Sequence, residues 1–184
     1  MLLRRKVMHV TNLMTIGYEG SIIEDFVKTL EVAGVQVLVD VRAVTVSRKK
    51  GFSKNSLAAR LEKHGIRYIH AKDLGDPKPG REAARAGDFL TFRRVFGEHL
   101  ATEAAQQAVR DVADIAKEKL TCLMCYERDP STCHRQIVAT QLRDYNLISF
   151  DLFVDKKDKY ERNPEKLPGH NPSKGAATAQ HGAL

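Results

Sequence analysis

The chain of 184 residues has no tryptophan, few aromatics (7%), six prolines and only three cysteines. The cysteines are odd in number and confined to positions 122–133, which excludes the disulfide framework that staples small secreted domains. No apolar run approaches the roughly 18 residues of a membrane helix, so no bilayer span and no membrane partner are expected. Arg4, Arg5 and Lys6 follow the opening leucines with no apolar stretch behind them, unlike a secretory signal. A soluble protein of a reducing cytoplasm is the expectation. What the chain does have, 42% hydrophobic and 29% charged residues, excludes collagen, coiled coil and wholesale disorder. Its length suits one domain with a sizeable core.

The net charge of +7 is unevenly placed. Residues 1–12 hold three bases and no acid, and residues 155–184 hold six bases and four acids. The middle, 13–154, is therefore close to neutral, which weakens any argument for nucleic-acid binding from overall basicity. One internal stretch differs, since residues 42–54 carry Arg42, Arg48, Lys49, Lys50 and Lys54 without an acid. The expected organisation is a basic extension over 1–12, an α/β domain over 13–154 and a disordered tail over 155–184. That tail is rich in Pro, Gly, Asn and charge and lacks periodic apolar residues.

Within the middle, strand and helix patterns alternate. Residues 13–18 read as a short apolar strand. Ser21 and Glu24 have capping-box spacing before Ile22, Ile23, Phe26, Val27 and Leu30, which recur at helical period until Gly34. Residues 35–41 are β-branched and almost wholly apolar, as a strand buried on both faces must be. Asn55 is placed to cap a helix ended by Gly65, and residues 66–70 give a third strand. A Pro/Gly-rich loop from 75 precedes helical patterns near 89–100 and 103–119. Residues 120–126 form a fourth buried strand, Ser131 or Thr132 caps a helix reaching about Tyr145, and 147–154 give a fifth strand. Alternation of this kind predicts right-handed βαβ units: a single-domain α/β fold, with a mostly parallel sheet of about five strands and helices on both faces.

Open parallel sheets bind ligands at the carboxyl ends of their strands, where loops and helix N-termini converge. The unusual residues of this sequence fall there. The first strand leads to Tyr18 and Glu19, and the second to Asp40, Arg42, Ser47, Arg48 and Lys54. The third ends at His70, and the fourth at Cys125 and Glu127, followed by Cys133, His134 and Arg135. Each has a plainer explanation. Asp40 and Arg42, two apart on a strand, share a face and can form a structural ion pair. Gly17 and Gly20 lack the full dinucleotide or Walker spacing, and His70 can simply serve as a hydrogen-bonding strand end. Gathered at one edge, they point to a ligand site.

Cys122, Cys125, Cys133 and His134 superficially resemble a zinc set. Positions three apart on a strand face opposite sides, however, and adjacent residues at a helix start chelate poorly, so no metal is expected. Cys122 reads as a small core hydrophobe. Cys133, at a helix start beside His134 and Arg135, is where a thiolate would be favoured. Cys125 is close enough along the edge for a reversible disulfide. Counted from Cys133, the sixth residue on is Ala139 rather than the arginine of a phosphatase loop, and there is no Gly-x-Ser-x-Gly elbow.

The ordered segments Thr15-Ile-Gly-Tyr-Glu-Gly20, Leu38-Val-Asp-Val-Arg42, Ser47-Arg48 with Phe52-Ser-Lys54, Gly65-Ile-Arg-Tyr-Ile-His70 with Leu74-Gly75, and Cys125-Tyr-Glu-Arg-Asp-Pro130 with Cys133-His-Arg135 resemble domain-of-unknown-function family 488. The resemblance runs over about 13–150. It implies an α/β fold sharing this polar edge, and it supplies no reaction. The family usually has a proline between the second and third motifs. Here that stretch is Ala43-Val-Thr-Val46, and a less rigid loop is expected.

The first functional expectation is an enzyme, a hydrolase or transferase, acting on a small phosphorylated ligand such as a nucleotide or nucleic-acid component. Arg42, Arg48 and Arg135 would grip the anion, with Tyr18, Glu19, Ser47, Lys54, His70 and Cys125 around it. Asp40 or Glu127 would act as general acid or base, His134 as proton shuttle, and Cys133 as a reactive thiol. The second is a non-catalytic nucleic-acid-binding module using the 42–54 loop and the basic ends. The third is a redox switch between Cys125 and Cys133. The sequence leaves the cofactor and the oligomeric state open.

Overall fold

A computed structural model describes residues 13–154 and Leu167. The expectations for the basic extension and for most of the tail lie outside the described residues. In chain order the elements are β1 (Leu13–Gly17), α1 (Ile23–Val32), β2 (Val37–Asp40), α2 (Lys54–Glu62), β3 (Arg67–His70), α3 (Lys78–Arg85), α4 (Phe89–Leu100), α5 (Glu103–Glu118), β4 (Thr121–Cys125), α6 (His134–Gln141) and β5 (Ser149–Phe153). Single 3-10 turns at Lys72–Leu74, Pro130–Thr132 and Leu142–Tyr145 join some of them.

All five strands are parallel, in the order β3-β2-β4-β1-β5. A right-handed crossover puts its helix on a face set by the direction of travel along the sheet. Steps from β1 to β2 and on to β3 move one way, and their helices α1 and α2 cover one face. The steps β3 to β4 and β4 to β5 move the other way, and α4, α5 and α6 cover the opposite face. Strand residues alternate accordingly. Met14, Ile16, Leu38, Cys122 and Met124 pack under α1 and α2, while Leu13, Val37, Val39, Leu123 and Cys125 pack under the other layer. The result is the expected α/β domain with helices on both faces. No helix among the described residues is long and apolar enough to cross a membrane.

Several local expectations need correction. Ser21 does not form a capping box: α1 starts at Ile23 with no side-chain cap, and Ser21 Oγ instead donates to the Tyr18 carbonyl at 2.7 Å. Asn55 lies inside α2, whose N-cap position is Ser53. The stretch read as a Pro/Gly loop contains a whole helix, α3, with Pro79 in its first turn, where a missing N–H costs nothing. Thr132 ends a 3-10 turn, and the residue at the N-cap of α6 is Cys133. Leu167, the one residue of 155–184 among the described residues, is buried against the α1/α2 layer.

Gly17 has a packing reason rather than a phosphate-binding one. A Cβ there would sit 1.8 Å from the Glu127 carbonyl oxygen, so only glycine lets the loop after β4 cross the end of β1.

Candidate functional site

Two polar clusters stand at the carboxyl ends of the strands, one on each side of the sheet. The first is built by the period-two pleat, which aims Asp40 and Arg42 to the α1/α2 face. Asp40 is wholly buried and holds Arg42 through both carboxylate oxygens, accepting from Nε at 2.8 Å and Nη2 at 2.6 Å. Tyr68 on β3 donates to Asp40 Oδ2 at 2.6 Å. The remaining guanidinium hydrogens go to Tyr18 Oη at 2.9 Å and the Phe52 carbonyl at 3.0 Å. Tyr18 stacks on Phe52 with centroids 4.3 Å apart. Burial and the hydrogen bond to Asp40 push the Tyr68 hydroxyl well above its usual range. Burial opposes the charge on Arg42, but Asp40 and Tyr18 outweigh it and hold the guanidinium charged.

The second cluster lies under α3, α4 and α6. Cys125 Sγ donates to Glu127 Oε2 at 3.2 Å and stands 3.7 Å from His134 Nδ1. His134 Nε2 lies 2.8 Å from the Val41 carbonyl oxygen, which can only accept, so Nε2 carries a proton and Nδ1 is left facing the thiol. The donor atoms of Cys125, Cys133 and His134 all lie within 4.8 Å of one another. The expectation of a thiolate at Cys133 is not met. The residue is 2% exposed, and burial, reinforced by Cys125, holds its thiol well above the ordinary value. Burial likewise raises Cys125. Burial would raise Glu127 too, but hydrogen bonds from Cys133, its own backbone and Cys125 outweigh it, and the carboxyl sits below its usual range. For His134 the cost of burial is outweighed by Cys133, Val41 and Glu127, and its pKa is raised.

Both clusters border one open cavity of about 1070 Å³. Its inner wall includes Tyr18, Cys125, Glu127, His134 and Asp76, and its mouth carries Arg48, Lys49, Lys78, Arg81 and Arg85. Of the residues expected at the site, Tyr18, Arg42, Ser47, Arg48, Cys125, Glu127 and His134 border this space. Ser47 is held by Ser53, which donates to its carbonyl and accepts from its amide at 3.1 Å each, and the Lys54 amide reaches Thr45 O. The loop without the family's proline is thereby tied at both ends.

The others do framework work. Arg135 was expected to grip an anion. It has no exposure, and its guanidinium is spent on Thr15 Oγ1 and on the carbonyls of Glu127 and Arg128. Arg42 borders the cavity, but its guanidinium already makes four hydrogen bonds, two to Asp40 and one each to Tyr18 and the Phe52 carbonyl, so the trio with Arg48 and Arg135 does not form. Asp40 is enclosed by Arg42 and Tyr68, which removes it as a general base. Glu19 accepts from the Arg128 amide at 3.0 Å, joining two loops. His70 bonds the Arg42 carbonyl at 2.9 Å, in keeping with the plainer explanation, and Lys54 starts α2 away from the cavity.

Asp76 and the basic face of α3 were missed. Asp76 is 4% exposed, its Oδ1 has no hydrogen-bond partner among the described residues, and its carboxyl is raised to about 6, chiefly by burial. Gly80 makes room for it, since a Cβ there would lie 2.1 Å from Asp76 Oδ1. The signal for α3 was present in the sequence: Lys78, Arg81 and Arg85 recur at i, i+3 and i+7, one helical face, just behind Pro77.

Residues 22–142 match the family described as domain of unknown function DUF488. The chain belongs to the DUF488 family. That span carries β2, β3 and β4, all of α3, and both polar clusters apart from Tyr18. No curated protein and no solved structure matches the chain. The DUF488 family carries no assigned reaction, so function has to be argued from the cavity.

Proposed function

We propose that this DUF488 protein binds a small phosphorylated ligand, a nucleotide or a nucleic-acid component, and processes it by hydrolysis or group transfer. The observation that carries this reading is the composition of the cavity. Five basic side chains, Arg48, Lys49, Lys78, Arg81 and Arg85, line it with three carboxylates, the exposed Glu82 beside Lys78 and the more deeply placed Asp76 and Glu127. Arg81 and Arg85 on α3 line the same space as Arg48 and Lys49 of the loop after β2, a set of cations suited to a phosphate or a phosphodiester. Tyr126 and Phe89, both partly exposed, border the same space and offer faces on which a base can stack. Glu127 is the candidate for taking a proton from an attacking hydroxyl, and Asp76 for returning one to the leaving group. Arg42 keeps Tyr18 fixed in the wall and does not touch the ligand.

Titration calorimetry with inorganic phosphate, ribose 5-phosphate, a nucleoside monophosphate and a short oligonucleotide tests this. A nucleoside monophosphate should bind more tightly than ribose phosphate. The double variant Arg81→Ala, Arg85→Ala should weaken binding by roughly 10–100-fold, the loss of two charge-assisted contacts. Glu127→Gln should leave affinity near the parent value while abolishing turnover. Failure of the parent to bind any of these probes, or equal binding by the double variant, refutes the reading. Affinity that only climbs with oligonucleotide length, with no turnover to lose in Glu127→Gln, replaces it with a non-catalytic nucleic-acid module.

A further inference from the structure

We propose that Cys125, Cys133 and His134 form a three-ligand binding site for one zinc-type divalent cation at the back of the cavity, with the fourth position left to solvent or a ligand. This goes beyond the phosphorylated-ligand reading and does not depend on it.

The objection raised by the sequence was that neighbouring residues at a helix start converge poorly on one ion. The backbone removes it. Cys133 is the N-cap of α6 and has extended dihedrals (φ −118°, ψ 139°), whereas His134 is the first helical residue. The change of conformation between them turns both side chains to the same point. The other half of the argument holds, because Cys122 lies on the opposite face of β4 and takes no part. Its place is taken by Cys125, at the strand end, and by Cys133 from the next element.

The distances fit a tetrahedral ion. With Zn–S near 2.3 Å and Zn–N near 2.0–2.1 Å, donors at tetrahedral angles stand about 3.6–3.8 Å apart. Cys125 Sγ is 3.7 Å from His134 Nδ1, and the two sulfurs and the imidazole fall within 4.8 Å of one another. Closing onto the ion requires shifts of about an ångström or less. The second shell is already built. The Val41 carbonyl takes the Nε2 proton of His134 and so fixes the tautomer that presents Nδ1, as outer partners of metal-bound histidines do. Phe96 packs against the imidazole, with centroids 5.2 Å apart, and limits its rotation.

Two thiolates with an imidazole select a borderline-soft ion such as Zn²⁺ over Mg²⁺ or Ca²⁺. As the two S–Zn bonds form, each thiol releases its proton to solvent, and no electron changes hands. His134 binds as neutral imidazole. Two of the three donors, Cys125 and His134, border the cavity, so the bound cation would stand at the wall of the space assigned to the ligand.

The full chain, reduced and freed of metal by a chelator, is titrated with Co²⁺ and then Zn²⁺. One equivalent of Co²⁺ should give thiolate charge-transfer absorption with the intense visible bands of four-coordinate cobalt, and Zn²⁺ should erase them. Cys125→Ser and Cys133→Ser should each lose the charge-transfer signature and weaken binding by more than the roughly 10–100-fold that loss of an outer partner costs. Cys122→Ala should titrate like the parent. Because the serine variants can fail to fold, X-ray absorption of the zinc-loaded parent supplies an independent reading, two sulfurs and two nitrogen or oxygen donors. Fewer than two sulfurs overturns the site, as does an unchanged cobalt spectrum in a folded Cys133→Ser. So does a reduced parent that takes up no metal but joins Cys125 to Cys133 on peroxide treatment. None of these outcomes bears on phosphate binding, and loss of phosphate binding leaves this test intact.

Discussion

The two polar clusters at the strand ends contain nearly the same chemistry, a carboxylate and a cationic or ionisable partner, yet they are built to opposite ends. Around Asp40 and Arg42 every strong donor and acceptor is matched, by each other, by Tyr18 and Tyr68 and by the Phe52 carbonyl. Around Cys125, His134 and Glu127 the side-chain matches, apart from His134 Nε2 to the Val41 carbonyl, are weak thiol hydrogen bonds, and nearby Asp76 keeps an oxygen with no partner among the described residues. A saturated cluster has nothing left to offer a ligand, whereas an under-satisfied one beside a cavity has. Desolvating charge costs several kcal/mol per ion, so full pairing is what a framework needs, and incomplete pairing is tolerated where something else binds.

The sharpest way to break this contrast is Arg42→Ala. Removing one partner of the buried pair strands the other, and a loss of about 3–5 kcal/mol of folding stability is expected by chemical denaturation. The sequence alone made Arg42 a contact to the ligand rather than a brace of the fold. A variant as stable as the parent that has lost ligand binding would restore that view and dissolve the distinction drawn here.

Tyr68→Phe tests the same cluster more gently. It deletes a 2.6 Å hydrogen bond to Asp40 and nothing else of comparable strength. The expected loss is about 1.5–3 kcal/mol, the range for a hydrogen bond to a charged group. Ligand affinity should be unchanged, since Tyr68 does not border the cavity.

How much of this was legible beforehand follows the range of the interactions concerned. The five parallel strands and their layers were readable because the apolar period is a local property, and Val37, Leu38 and Val39 say in three residues that both faces are covered. That the edge would gather Tyr18, Arg42, Ser47, Arg48, Cys125, Glu127 and His134 followed from the parallel-sheet rule alone. Which of them would face the cavity did not. Arg135 and Arg48 look alike in sequence, and only the carbonyls of Glu127 and Arg128, brought over the sheet by Gly17, turn the first into a brace. Ser21 was misplaced because the Tyr18 carbonyl outbid the helix start for its hydroxyl. Asp76 was invisible because its partners His134 and Glu127 arrive from more than fifty positions away.

The smallest effect is expected at Asp76, and there the direction of the pH dependence is the informative quantity. Its carboxyl is raised from an ordinary 3.8 to about 6, chiefly because the charged form is desolvated, with Glu127 adding to the rise and His134, Arg81 and His99 opposing it. A raised folded-state pKa means that the folded chain binds the proton more tightly than the unfolded one. The stabilising contribution is therefore complete below about pH 4, declines as pH rises, and is gone above about pH 6, where the buried charge bears its full cost. Asp76→Asn removes the titration while keeping the shape against Gly80. In chelator-treated protein, the variant should gain about 1–2 kcal/mol over the parent at pH 8, an upper figure near 3 being reduced by water in the open cavity. At pH 4 the difference should vanish. A parent and variant whose stabilities run parallel from pH 4 to 8 would mean that Asp76 is solvated and ordinary. The under-satisfied side of the comparison would then rest on the thiols and imidazole alone.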